Sequence, residues 1–181
     1  MTLPGTTPYY NLILTGHMGQ GRTTVGRAIA RKMNVPFIDL DTEIQLREKM
    51  SPDDIRQLFG ENRLRAIEGE LCRELGLRRG CVLSISGPTL LEEVNRERLI
   101  NSGPVLVLTC SLNEILRRLY ASQGARFHDP KVRAAAINQI RRERMINQLM
   151  EFPKLDTTLL TVDQVAERAI AFWHEKQGVM S

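Results

Sequence analysis

Apolar residues in this chain gather in short continuous runs, not in strict alternation. Asn11-Leu-Ile-Leu-Thr15, Val35-Pro-Phe-Ile-Asp-Leu40, Cys81-Val-Leu-Ser-Ile85, Val105-Leu-Val-Leu-Thr109 and Thr157 to Thr161 each read as a strand buried on both faces. The stretches between them carry helical spacing, over 23–33, 41–50, 61–77, 90–101, 111–120, 132–150 and 162–177. Ser51 and Pro52 open a further helix, as N-cap and first helical residue. Ser111 with Glu114 three residues on reads as a capping box. On the last helix Val165, Ile170, Phe172 and Trp173 are apolar. Strands alternating with helices imply an α/β fold, a parallel sheet covered on both faces. Residues 1–10 form a loose lead-in rich in Pro, Gly and Thr, 11–177 a single domain, and 123–130 a loop.

Composition narrows the classes without choosing among them. The 181 residues suit one domain, and 42% hydrophobic with 25% charged is an ordinary globular balance. At 5% aromatic, base-stacking platforms are disfavoured, and the basic helix has no helix-turn-helix context, so nucleic acid is not an expected partner. A net charge of +4 is compatible with a phosphate-rich ligand. Three cysteines without paired spacing argue against a disulfide framework or a zinc site. With no secretory pattern at the start and no apolar run near ~20 residues, a cytoplasmic protein without a membrane span is expected.

The first chemical signal follows the first strand. Gly16-His-Met-Gly19-Gln-Gly21-Arg22-Thr23-Thr24 fits a phosphate-binding loop in its strand–loop–helix setting, with Arg where the template has Lys. Its glycines let several backbone N–H groups point into one hollow, and the helix adds its positive end. Thr23 offers a hydroxyl to Mg²⁺. Arg22 either pairs phosphate oxygens bidentately or turns outward; its planar guanidinium is larger than an ammonium. The second strand ends in Asp39-Leu-Asp41, two carboxylates two residues apart on one strand end. At the C-terminal edge of a parallel sheet such a pair can position hydrated Mg²⁺ and accept a proton from a hydroxyl. The alternative is that Asp41 caps the next helix.

These two motifs and a third, Gly60-Glu61-Asn62-Arg63-Leu64-Arg65-Ala66-Ile67-Glu68, occur in one order and at fitting intervals. Together they resemble the shikimate kinase family of P-loop kinases, from about Leu12 to Trp173. The resemblance implies a three-layer fold around a five-stranded sheet of order 2-3-1-4-5, with a lid near 122–131. It implies ATP and Mg²⁺ as cofactors, a small hydroxy acid such as shikimate as substrate, and a monomer. Gly16, Gly19, Gly21, Arg22, Thr23 and Thr24 would hold ATP, with Thr23 and Asp39 on the metal. Asp41 would bind substrate hydroxyls, Arg65 the substrate carboxylate, and Gly87 and Arg144 further substrate groups. Arg22, Asp41 and the lid's Arg126 would act in phosphoryl transfer.

The chain departs from the family pattern where a triple-glycine substrate loop would follow the third strand. It has Ser86-Gly87-Pro88, and Pro88 has no N–H to donate. A lost donor at a polar site corresponds to ~1–3 kcal/mol, or ~10- to 100-fold in affinity. An active kinase and a degenerate member that binds nucleotide or metabolite without turnover are both compatible with this residue set.

Overall fold

The computed structural model describes residues 8–16, 21–143 and 151–178. Five strands, β1 (Leu12–Gly16), β2 (Phe37–Asp39), β3 (Val82–Ser84), β4 (Val105–Thr109) and β5 (Lys154–Asp156), form one sheet in the order β2-β3-β1-β4-β5. Every pairing is parallel. Leu12 and Leu14 of β1 face one side of the sheet, where they pack with Val25 and Ile29 of α1 (Arg22–Met33) and Trp173 of α9 (Val162–Gln177). Ile13 faces the other side, with Ile44 of α2 (Leu40–Glu48), Ile55 of α3 (Pro52–Phe59), Leu64 and Leu71 of α4 (Glu61–Gly76), and Leu99. Continuous apolar strands are the consequence of helices on both faces. Trp173 is fully buried and its indole N–H donates to the Tyr10 carbonyl at 2.9 Å, tying the start of the domain to its last helix.

Four elements differ from their sequence expectation. The fifth strand lies at 154–156, not 157–161: Lys154 and Asp156 are exposed about half-buried Leu155, the polar–apolar pattern of a sheet edge, while Leu159 is 92% exposed in the following turn. The single helix over 90–101 is two, α5 (Gly87–Leu91) and α6 (Glu93–Ile100), broken at Glu92 in extended conformation. The loop over 123–130 is a 3₁₀ helix (Gly124–His128) between α7 (Leu112–Gln123) and α8 (Pro130–Glu143). Its Phe127 is buried with Ile115, Leu119, Ala136 and Ile140. At Ser111 only half of the capping box forms, because Glu114 turns to Arg117 and Arg118 instead. Ser51 and Asp54 do form a reciprocal capping box at α3.

Candidate functional site

In an open parallel sheet, ligands bind beyond the carboxyl ends of the strands, where the order reverses; here that is around β1, between β3 and β4. β1 runs out at Gly16, whose φ of 140° only glycine adopts easily, and Gly21 (φ 80°) turns the chain into α1. The N-terminus of α1 has no side-chain cap, so its first N–H groups face a cavity of about 980 Å³. Residues 21–25, Asp41, Glu114, Arg117, Arg118 and the turn 157–162 line it. Gly21, Arg22, Thr23 and Thr24 therefore line one cavity together. Gly19 lies outside the described residues.

The second motif needs a correction. Asp39 ends β2 and caps α2, its Oδ1 accepting from the Thr42 N–H at 3.1 Å. Asp41 sits in the first turn of α2, not on the strand, and does not cap it. Asp39 serves two elements at once, because its Oδ2 also accepts from the Thr23 hydroxyl at 3.2 Å. Solvent reaches Asp41 from the cavity, yet protein crowds its carboxyl. Burial pushes its pKa up, Arg22 pulls it down, and Asp39 adds to the rise.

Arg22 reaches across the sheet. Its Nη1 donates to the carbonyl of Ile85, just past β3, at 2.7 Å. The guanidinium thus spans from the phosphate-loop side toward Asp41 and β3, a reach and a fork that lysine lacks. Thr23 Oγ1 and Asp39 Oδ2 are adjacent hard oxygen donors, a set that fits Mg²⁺ completed by phosphates and water. Among the described residues no group of three or more His, Cys, Asp or Glu could hold a metal by itself.

On α4, Arg65 faces two carboxylates, Glu92 at 3.2 Å and Glu61 at 3.8 Å. Glu61 is also held by Arg56 at 2.8 Å. Gly87 is buried as the first residue of α5, with Ser86 as N-cap accepting from the Thr89 N–H. Ser86-Gly87-Pro88 is therefore the start of a helix and not an open loop. Arg126 is exposed on the 3₁₀ helix, its guanidinium without a partner among the described residues. The segment is docked by Phe127 and by the Tyr120 hydroxyl, 2.9 Å from His128 Nε2. Arg144 lies outside the described residues.

Arg118 carries more of the site than its sequence context signals. Arg118 donates to the Thr157 carbonyl at 2.8 Å and its hydroxyl at 3.2 Å, fastening the 157–162 turn to α7 as one wall of the cavity. Arg117 and Arg118 together hold the Glu114 carboxyl down to about 2. The only sequence trace is a pair of arginines on an amphipathic helix. Glu68, the last residue of the third motif, is 8% exposed, and its pKa is pushed up to about 7. Burial is the main cause; Thr89 lowers it, Asp41 and Glu61 raise it, and Arg56 lowers it.

Known proteins are similar to this chain in sequence and in fold. The family model for shikimate kinase matches residues 18–173. A shikimate kinase of Thermodesulfovibrio yellowstonii is 31% identical over 161 residues, 88% of this chain and 92% of that protein. One from Caldicellulosiruptor saccharolyticus is 30% identical over 176 residues, 93% of this chain and 98% of that protein. Among solved structures, a shikimate kinase of Bacteroides thetaiotaomicron is similar with a TM-score of 0.71 and 27% identity, covering 92% of this chain and 96% of that one. A shikimate kinase of Acinetobacter baumannii, in complex with shikimate, shares the fold at a TM-score of 0.77 and 24% identity, covering 94% and 95% of the two chains. The P-loop cavity, the 2-3-1-4-5 sheet and a family match over most of the length make this chain a member of the shikimate kinase family, a family of kinase enzymes.

Proposed function

We propose that this protein transfers the γ-phosphate of ATP to a hydroxyl of shikimate or a closely related hydroxy acid. The observation that carries the reading is the convergence on one cavity of the α1 N-terminus, the Thr23 hydroxyl and the Asp41 side chain, with Asp39 Oδ2 3.2 Å from that hydroxyl. Phosphoryl transfer asks mainly for positioning and charge neutralisation, and these groups supply both. Residues 16 and 21–24 would cradle the phosphates. Thr23 and Asp39 would hold Mg²⁺ with its waters, which neutralises charge on the β- and γ-oxygens.

The acceptor hydroxyl oxygen forms the new bond to the γ-phosphorus as the bond to the bridging oxygen of ADP breaks. Its proton passes to Asp41. The raised pKa of Asp41 makes it a better base than an ordinary aspartate. Arg22 stands between the two sites, stabilising charge on the phosphate side while its Nη1 is anchored on the Ile85 carbonyl. Arg65 would take the acceptor's carboxylate in place of Glu92, which already occupies it as a carboxylate does. Arg126 would cover the phosphates from the 3₁₀ segment. Each of these groups comes from one chain, so a monomer suffices.

The test is direct. Purified protein with Mg·ATP and shikimate is expected to release ADP in a coupled assay and yield a phosphorylated acceptor by mass spectrometry. ATP binding retained by calorimetry with no turnover on shikimate would refute it.

A further inference from the structure

Two carboxylates hold Arg65, and they hold it differently. Glu61 lies one turn before it on α4, 3.8 Å away. Glu61 is itself fixed by Arg56 of α3 at 2.8 Å, and Arg56 also binds Asp53. Asp53, Arg56, Glu61 and Arg65 thus form a line of alternating charge that joins α3 to α4. Glu92 meets the end of that line from a different element, 3.2 Å from Arg65 Nη1. The contact is looser than the Arg47–Glu74 pair, where two hydrogen bonds form and the closest approach is 2.7 Å.

Glu92 has a second place to go. It is the break between α5 and α6, extended at φ −69° and ψ 116°, and it holds the N-cap position of α6. A side-chain oxygen at that position ordinarily accepts from the N–H of the second or third helical residue. Asp39, Ser51, Ser86, Ser111 and Thr161 each do so at their own helices. Glu92 does not: α6 has no side-chain cap, and the carboxylate that could serve it is turned to Arg65. The helix start therefore keeps N–H groups and a positive dipole end open to that same carboxylate.

Both partners are within reach of a ligand, the side chains of Arg65 and Glu92 being 53% and 44% exposed. An ion pair so exposed is worth up to about 5-fold in an equilibrium constant, small enough to displace and large enough to measure. A free carboxylate can bond a guanidinium with both oxygens, which the 3.2 Å contact with Glu92 does not achieve. The line of charge also leads to the reacting side of the cleft, because Arg56 acts on the Asp41 carboxyl as well as on Glu61.

We propose that Glu92 is an autoinhibitory stand-in for the acceptor's carboxylate: it occupies Arg65 in the free protein and yields it to the acceptor, its own carboxylate turning to the open N-terminus of α6. The inference rests on the reading above that Arg65 takes the acceptor's carboxylate, and adds an internal competitor to it. Glu61, tied to Arg56, stays on Arg65 in both states and keeps it oriented. Glu92 touches neither the nucleotide nor the reacting atoms, so it raises the KM for the acceptor and leaves kcat unchanged.

Shikimate, its neutral carboxamide and ATP are titrated by calorimetry into the full chain at about 20 mM ionic strength, where exposed charges are least screened. Glu92→Gln is expected to bind shikimate about 3- to 5-fold more tightly than wild type, the gain falling below about twofold at about 0.5 M salt. The carboxamide and ATP are expected to bind the two proteins within about 1.5-fold of each other, since neither brings a carboxylate to Arg65. Arg65→Gln weakens shikimate, and adding Glu92→Gln to it is expected to recover nothing. A merely structural role predicts weaker binding in Glu92→Gln, or none of these differences. Shikimate affinity no tighter than wild type in Glu92→Gln overturns the inference, as does an equal gain for the carboxamide or a gain that persists in Arg65→Gln. ADP release is followed in parallel. Turnover with the same shikimate KM in wild type and Glu92→Gln sinks the inference and leaves the kinase reading standing. Shikimate binding without turnover sinks the kinase reading, and the affinities then decide the role of Glu92. Shikimate bound by neither protein sinks both.

Discussion

Replacing Glu68 by Gln separates the energetics of that buried acid from its shape. The carboxyl has a folded-state pKa of about 7 against an ordinary 4.5, caused first by burial. A pKa raised on folding means the native state binds more protons than the unfolded chain between those two values. Stability must therefore fall as pH rises from 4.5 through about 7, and level off above. The rise amounts to about 3 kcal/mol at full ionisation, and Glu68 is 8% exposed, so solvent screening takes little from it. Asp41 titrates in the same sense, its pKa also being raised, so a wild-type profile alone mixes two groups. The variant subtracts Asp41. It keeps the shape of the side chain and has no charge to desolvate. Urea unfolding at pH 5, 6, 7 and 8 is the assay. The variant's advantage over wild type is expected to grow by about 2.5 kcal/mol from pH 5 to pH 8, about 1–2 M in urea midpoint. A difference that stays flat across that range would mean that Glu68 is solvated or paired in solution, and the burial argument fails.

Arg22→Met removes the largest influence that lowers the Asp41 pKa, so the acid limb of the kcat/KM profile is expected to move to higher pH; an unmoved limb means Asp41 is not the base. Asp39→Asn keeps a good helix cap but loses a charged oxygen beside Thr23. Its half-saturating Mg²⁺ concentration is expected to rise about 10-fold or more, with stability within about 1 kcal/mol by denaturation, since Asn caps about as well as Asp. Gly26→Ala would drive a methyl into the Phe37 ring where α1 crosses β2, and is expected to destabilise by about 1–3 kcal/mol in urea while leaving ATP affinity unchanged in the folded protein.

Local signals are legible in the chain where one element decides them. The strand–loop–helix at 12–33 follows from an apolar run, glycines and a helical period in sequence, and the Ser51–Asp54 cap from four adjacent residues. The 2-3-1-4-5 order needs the resemblance, because periodicity alone does not say which strands pair. What stays hidden depends on pairs far apart in sequence. Arg22 and Ile85 are 63 residues apart, so whether the guanidinium turns inward or outward is decided by where β3 ends. Arg118 and Thr157 are 39 apart. Asp41 misleads for a different reason: an aspartate two residues after another is in phase with a strand, but Asp39 caps α2 and ends the strand before Asp41 is reached.

Pro88 shows how such an error propagates into function. Read as part of an open loop, it deletes a backbone donor at a polar site, a penalty of ~1–3 kcal/mol. In the structure it is the second residue of α5, behind the Ser86 cap. The first N–H groups of a helix have no intrahelical acceptor, and proline there forfeits no structural hydrogen bond while its fixed φ suits the turn. The loss is then confined to whatever a ligand would have drawn from that one N–H. Ser86 adds an oxygen at the same edge, held at 2.6 Å by Thr89. The departure from the family pattern thus replaces one backbone donor with one side-chain hydroxyl, and leaves the helix it opens intact.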